Sequence, residues 1–311
     1  MRWNYNAPKV PGDQLAIDWF NEHKLSTMAA TAAQTNTPML PLNNSNFQPI
    51  KDFCQLTSEK KMSGILCTIW DDTSPHFETV WRGIYDFALF SWNYEDVSKE
   101  TAHAIFRHRF YTPEMASASF DFEDSLEKGI NFWSRAFLSE GNRYKYHDSF
   151  KLIDLPEANK TKDWIVKYKD KISFAENAVS QYKQINSELS NAMALARRNA
   201  YSLEVFNQIN ELEAYSSNLL LLLRQYDIAP LQGKKEPGLV IKKFINDFAG
   251  LRMQFETVYS QSRILGNPAG YQLDSNFHSH LANGTNNTDW MFMCELAMNK
   301  KVMDWLSKQE L

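Results

Sequence analysis

The apolar positions of this chain change rhythm near residue 95. Before it, short apolar runs alternate with amphipathic stretches: an extended start at residues 2–6, a run at 25–32 and another at 64–70. Leu15, Ile17, Trp19 and Phe20 give the stretch before the second run a helical face, and residues 50–61 do the same before the third. A further helical stretch, 78–91, follows. The spacing predicts β-α-β-α-β, an order that implies parallel strands joined by crossover helices. Beyond residue 95 the helical period dominates. Ile172, Ala175, Val179, Tyr182, Ile185, Leu189, Met193 and Ala196 step by three and four, as one helix face requires. Residues 202–225 and 240–265 repeat the behaviour. The segment 233–237 predicts a loop, 266–270 a helix stop, and Thr288-Asp289 the cap of a last helix at 290–306. The face at 172–196 would also suit a coiled-coil dimer. With other helices nearby, packing within the chain is the expected use.

The expected fold is therefore α/β followed by all-α. Three parallel strands cannot cover themselves, because a parallel sheet needs both faces buried, and the pattern offers no further strand. A chain that opens inside a strand and holds three βα units fits the last part of a larger whole. The natural whole is a TIM (β/α)8 barrel, with these as its last three strands. Two domains follow: 1–95, the C-terminal part of a βα barrel whose N-terminal half is absent, and 96–311, a helical bundle.

Composition narrows the function. The 311 residues are 43% hydrophobic and 14% aromatic, enough for one large domain or two smaller ones. A formal charge of −4 and a pI near 6.0 give no electrostatic reason to expect nucleic acid or an acidic membrane surface. No apolar run approaches the ~18 residues of a membrane span; the longest is 219–223. The first residues lack the apolar core of a secretory signal. Cys54, Cys67 and Cys294 are far apart and without metal spacing, so they are expected as free thiols. No Gly-rich phosphate loop, Gly-x-Ser-x-Gly elbow or His-Glu-x-x-His occurs, and no cofactor is implied.

The most informative segment is Gly64-Ile-Leu-Cys-Thr-Ile-Trp70-Asp71-Asp72, an apolar strand ending in a tryptophan and two acids. In a βα barrel that end of a strand faces the active site. An indole stacks on the CH-rich face of a sugar, and a carboxylate accepts hydroxyl bonds strongly. The plain alternative is a core tryptophan, one of nine. Asp71 and Asp72 are neighbours on an extended chain and point to opposite sides, so they do not flank one bond as acid and base; one of them can serve only to cap the next helix. Trp3 and Tyr5 share a strand face by period two, open either to a pocket or to barrel packing. His278 and His280 have the spacing of a metal pair on a strand, but no acid or cysteine completes them, and loop hydrogen bonding is the expected role. His103 and His108 do not share a helix face and are expected at the surface or satisfied. No metal site is expected.

The 64–72 segment resembles the last barrel strand of the family-20 glycoside hydrolases, the β-N-acetylhexosaminidases: Gly, an apolar run, Trp, any residue, acid. The resemblance implies that Trp70 walls the sugar pocket and Asp72 binds sugar hydroxyls. Phe77 to Asn93, with Ala88-Leu-Phe-Ser-Trp92, is similar to the helix that closes the family's barrel. Trp3-Asn-Tyr-Asn-Ala-Pro8 resembles an earlier strand whose tryptophan also lines the pocket. Leu265 to His278 and Trp290 to Asn299 resemble helical extensions in hexosaminidase-like proteins of gut bacteria. The family's adjacent Asp and Glu, which follow its fourth strand, would lie before residue 1; there the Glu protonates the leaving oxygen while the Asp orients the substrate's acetamido nucleophile. The family's tyrosine at the end of the seventh strand has no counterpart in residues 25–34, where Gln34 is the nearest polar group.

The expected function is thus a fragment of a glycoside hydrolase acting on terminal hexosamine-type sugars. Trp3, Tyr5, Gln34, Trp70, Asp71 and Asp72 would bind substrate, no catalytic residue lies in the chain, and it is inactive alone. The expected partners are a carbohydrate and either the missing half or a second copy. A periplasmic or extracellular site would follow if the whole protein is a glycan-degrading enzyme of a gut bacterium. The alternatives are a non-catalytic carbohydrate-binding relative and a helical interaction protein with residues 1–95 as scaffold.

Overall fold

The computed structural model describes residues 1–5, 11–34, 39–41, 43–70, 76–93, 97–141, 143, 150–263 and 292–309, apart from the side chains at 11, 34 and 43–45. The chain forms two compact units, Met1–Glu127 with Ser190–Leu203, and Lys128–Leu189 with Glu204–Leu311. It is an α/β region together with a predominantly helical one. No helix among the described residues is long and apolar enough to cross a membrane. Cys54, Cys67 and Cys294 are free.

The first unit contains β1 (Arg2–Trp3), α1 (Pro11–Glu22), β2 (Met28–Gln34), α2 (Asn43–Glu59), β3 (Gly64–Ile69), α3 (Trp81–Trp92) and α4 (Lys99–Phe110). The strands are parallel and stand in the order β1-β2-β3, with Trp3 opposite Ala30 and Ala30 opposite Leu66. The two crossovers close alike. After α1, the Lys24 and Leu25 amides donate back to the Asn21 and Phe20 carbonyls; after α2, those of Lys61 and Met62 donate to Ser58 and Thr57. Both are Schellman closures, and both place a lysine at positive φ, Lys24 at 56° and Lys61 at 50°. Each closure turns the chain within a few residues into the next strand.

Two local expectations shift. β2 begins at Met28 rather than residue 25, because Lys24 and Leu25 are spent on the closure. α2 starts well before residue 50 and carries Pro49 inside it, while Asn46 Nδ2 donates 3.1 Å to the Ala33 carbonyl at the end of β2.

One sheet face is covered. Phe47, Ile50 and Cys54 of α2, Phe90 of α3 and Ala102 of α4 form one buried cluster, with Ile65 of β3 packed against it. Ala102 belongs to that core, and the first unit runs on to Glu127. α4 opens on Ser98, whose hydroxyl accepts the Thr101 amide. The opposite sheet face carries Trp3, Met28 and Leu66, which stay 46%, 39% and 43% exposed.

The spacing suggests helix almost throughout beyond residue 95, but the second unit is not wholly helical. It holds a two-stranded antiparallel sheet of β4 (Leu138–Glu140) and β5 (Lys151–Leu152), strands too short to show alternation. Its helices are the latter part of α5 (Glu123–Trp133), then α6 (Asp163–Lys167), α7 (Lys169–Leu195) as far as Leu189, α8 (Ala200–Ile228) from Glu204 onward, α9 (Lys235–Asn246), α10 (Phe248–Ser260) and α11 (Met293–Ser307). α7 buries Ile172, Ala175, Tyr182, Ile185 and Leu189 of the face the spacing predicts. Val179 and Met193 are only half-buried, Ala178 and Ala192 being the buried positions, and Ala196 falls beyond the helix. The single helix expected over 240–265 is two helices meeting at Asp247, and the loop expected at 233–237 already belongs in part to α9. Pro237 fits there because the first turn of a helix has no use for its missing N–H. The stop at 266–270 and the cap at Thr288-Asp289 lie outside the described residues.

Candidate functional site

At the C-terminal ends of the parallel strands, three aromatic rings meet. Trp3 and Trp70 stack with centroids 5.3 Å apart and planes 14° from parallel. Tyr5 sets its edge against both, at 5.5 Å from Trp3 and 6.5 Å from Trp70. Neighbouring strands lie about 4.8 Å apart, and β1 and β3 are separated by β2. The indoles therefore meet only by leaning over the middle strand. Sequence permits this because β2 reads Met-Ala-Ala-Thr-Ala-Ala-Gln, and Ala30 and Ala32 present nothing larger than a methyl group on that face. Trp70 is fixed further by its indole N–H, which donates 3.0 Å to Thr68 Oγ1; that hydroxyl donates in turn to the Thr31 carbonyl. β1 is anchored from the other side. Asp13 of α1 is buried and accepts from Arg2 and, at 2.8 Å, from Asn4 Nδ2. The result is an aromatic surface with Trp3 nearly half exposed and Trp70 partly so.

Three of the six residues expected to bind substrate are thus brought together. Gln34 ends β2 opposite Ile69; its side chain, and Asp71 and Asp72 entirely, lie outside the described part of the structure. So do His278 and His280.

Sequence reasoning missed the densest charge in the first unit. Arg82 of α3 is fully buried, and its guanidinium reaches four carboxylates: Asp121 at 3.0 Å, Glu123 at 3.1 Å, Asp124 at 2.8 Å and Glu127 at 3.4 Å. Burial works against its charge, but the carboxylates outweigh burial and hold the guanidinium more firmly protonated than usual. Asp86, one turn further along α3, is fully buried 3.5 Å from His103 Nε2. Burial pushes Asp86 up to about 8, even against the pull of Arg82. Burial, reinforced by Arg82, pushes His103 down to about 3. His103 is therefore neither a surface nor an ordinary satisfied histidine, as expected, but half of a buried uncharged pair. The available signal was Arg82 and Asp86 four apart in an otherwise apolar helix. The acid run Asp121-Phe-Glu-Asp-Ser-Leu-Glu127 resembles a solvated face until its partner is known.

His103, Asp121 and Asp124 place ligand atoms within 4.8 Å of one another, a geometry open to a metal ion. The donors are already taken. Asp121 is held by Arg82 and, at 3.0 Å, by Arg107; Asp124 is held by Arg82 and, at 2.9 Å, by Lys99. A cation would have to displace three basic groups, so the cluster is a structural ion network.

The second unit has an open cleft of about 770 Å³ lined by Arg135, Lys151, Lys167, Tyr168 and Lys171 among others. Two of its lysines are paired, Lys151 with Glu140 and Lys167 with Asp154, and Tyr168 is buried with its hydroxyl bonded to Asp154. It offers no exposed aromatic face comparable with the Trp3–Trp70 surface. Compared with known proteins, the chain matches no family model and no curated sequence.

Proposed function

We propose that this chain supplies the sugar-binding side of a glycoside hydrolase pocket, in the manner of the family-20 β-N-acetylhexosaminidases, and that its first unit is the last three βα units of a (β/α)8 barrel. The observation that carries the reading is the Trp3–Trp70–Tyr5 cluster at the C-terminal ends of parallel strands, the end at which βα barrels build their sites. Sequential strand order and a single helix-covered face agree with a barrel sector. In a closed barrel, the face bearing Trp3, Met28 and Leu66 would be filled by inward side chains of the other strands.

In this reading the exposed side of the indole pair takes the apolar face of a terminal hexosamine ring, and Asp72 accepts its hydroxyls. The leaving-group acid comes from outside the three strands. The acid-rich segment at 121–127 does not serve, because its carboxylates are tied to Arg82, with Lys99 and Arg107 holding Asp124 and Asp121. The chain alone is therefore a binding surface without turnover. Loss of a general acid removes roughly 10²–10⁴-fold in rate before any loss of positioning.

Titration of the purified chain with N-acetylglucosamine, followed by calorimetry, tests the binding side. Trp70→Ala should weaken binding by about 1–3 kcal/mol, as for a buried aromatic anchor. Asp72→Ala should cost about 1.5–3 kcal/mol, the range of a hydrogen bond to a charged group, and Asp71→Ala less. An unaltered affinity in Trp70→Ala would reject the site. Turnover of an aryl N-acetylhexosaminide by the chain, abolished by a substitution within residues 1–95, would reject its inactivity.

A further inference from the structure

We propose that Glu213 is a pH-responsive lock in the second unit: a neutral carboxylic acid that seats α8 on α5 and, once ionised, loosens that packing. Glu213 lies in the middle of α8 and is 1% exposed. Neither carboxyl oxygen has a hydrogen-bond partner among the described residues. The carboxyl rests on Gly129 of α5 so closely that a methyl group built there would fall 1.8 Å from Oε2 and 2.8 Å from the carboxyl carbon. Glycine in a helix interior costs about 1 kcal/mol relative to alanine. Its presence at 129 is accounted for by the carboxyl occupying the space a side chain would need.

Among the described residues, no counter-charge acts on the carboxyl. On the same face of α8, Asn210 and Ser217 are turned to Tyr182 of α7: Asn210 Nδ2 donates 3.1 Å to the Tyr182 carbonyl, and Ser217 Oγ donates 3.4 Å to the Tyr182 hydroxyl. Tyr182 is the titratable group that faces Glu213 from α7, and its phenol is pushed up by burial and then by Glu213. From α5, Gly129 lies against the carboxyl. Two buried cations of this unit are held elsewhere: Arg143 by Glu295 of α11 through bonds of 3.0 and 2.9 Å, and Lys234 by the carbonyls of Glu157 and Lys160. Burial alone holds the Glu213 carboxyl well above the ordinary glutamate range. An isolated carboxylate in such a place is costly enough that the group keeps its proton instead.

The sign follows from linkage. The unfolded chain releases the Glu213 proton above the ordinary glutamate value, whereas the folded unit retains it. The stabilisation is complete below the unfolded value and is lost as pH rises towards the raised folded one. The unfolding constant should therefore rise about tenfold per pH unit through that window. Urea denaturation of the whole chain between pH 5 and 9 tests this against Glu213→Gln, which keeps the shape but cannot ionise. The ratio of unfolding constants, wild type over variant, should climb about tenfold per unit; a ratio independent of pH would overturn the proposal. If Glu213→Gln does not fold, hydrogen exchange of wild-type α8, corrected for intrinsic rates, gives the second reading. Its protection should fall with rising pH, and constant protection would overturn the proposal equally.

Discussion

The two faces of the small parallel sheet differ more than any other neighbouring surfaces of the first unit. One lies under α2, α3 and α4, where Phe47, Ile50, Cys54 and Phe90 close a core. Behind that core Arg82 gathers four carboxylates, and Asp86 pairs with His103. The other face leaves Trp3, Met28 and Leu66 partly exposed, although a parallel sheet is ordinarily buried on both sides. The difference teaches that the covered face holds this unit together, while the open face ends in an aromatic cluster that the core does not use. The Trp3–Trp70 stack leans over alanines, is fixed by Thr68, and makes no contribution to the core cluster.

The comparison breaks first at Arg82. Arg82→Ala should cost about 3–5 kcal/mol in urea denaturation, because it removes the buried cation that Glu123 and Glu127 share with Asp121 and Asp124. A loss below 1 kcal/mol would mean that water reaches the network. Next, Ile50→Ala on the covered face should lose about 2–5 kcal/mol through lost burial and a cavity. Leu66→Ala on the open face should stay within about 0.5 kcal/mol, as a surface change does. Equal losses at the two positions would show that the open face is packed after all.

The buried pair sharpens the contrast through pH. Between the ordinary aspartate value and about 6.5, the unfolded chain carries a charged Asp86 and a charged His103, while the folded unit keeps both neutral. The proton count is the same, and the pair contributes a plateau. From about 6.5 towards 8, the unfolded chain has one proton fewer, so stability should fall by about 1.4 kcal/mol per pH unit. Below the plateau, towards 3, the unfolded histidine holds a proton that the folded one refuses, and stability falls again. Asp86→Asn should remove the alkaline part of this difference. A stability profile that keeps the same alkaline slope in Asp86→Asn would assign that slope elsewhere.

How much of this was legible depended on length and on partners. The β-α-β-α-β order was visible because its apolar runs and amphipathic stretches are long enough to show a period, and α7 likewise announced Ile172, Tyr182 and Leu189 as buried. The hairpin of β4 and β5 was not visible, because three residues and two residues carry no alternation. The helix expected at 240–265 divides at Asp247, where the apolar spacing alone gives no sign of a break. Trp3, Tyr5 and Trp70 could be picked out as candidates, but their meeting depended on the small residues of β2, a feature of the strand between them. Arg82 and Glu213 were hidden for the opposite reason. A charged residue in a sequence is by default a solvent-facing one, and only packing shows that four carboxylates enclose the first and Gly129 underlies the second.

The central claim is that the indole surface at the strand ends is a sugar platform, and the molecule contains its own control. Trp19 on α1 is also exposed, at 51%, and stacks on His23 with centroids 4.0 Å apart, away from the strand ends. Nuclear magnetic resonance of the indole N–H groups during titration with N-acetylglucosamine distinguishes the two. The Trp3 and Trp70 signals should move and saturate together while the Trp19 signal stays in place, and Trp70→Ala should abolish the saturation that Trp19→Ala preserves. Saturating shifts confined to Trp19, or none at any indole, would contradict the account.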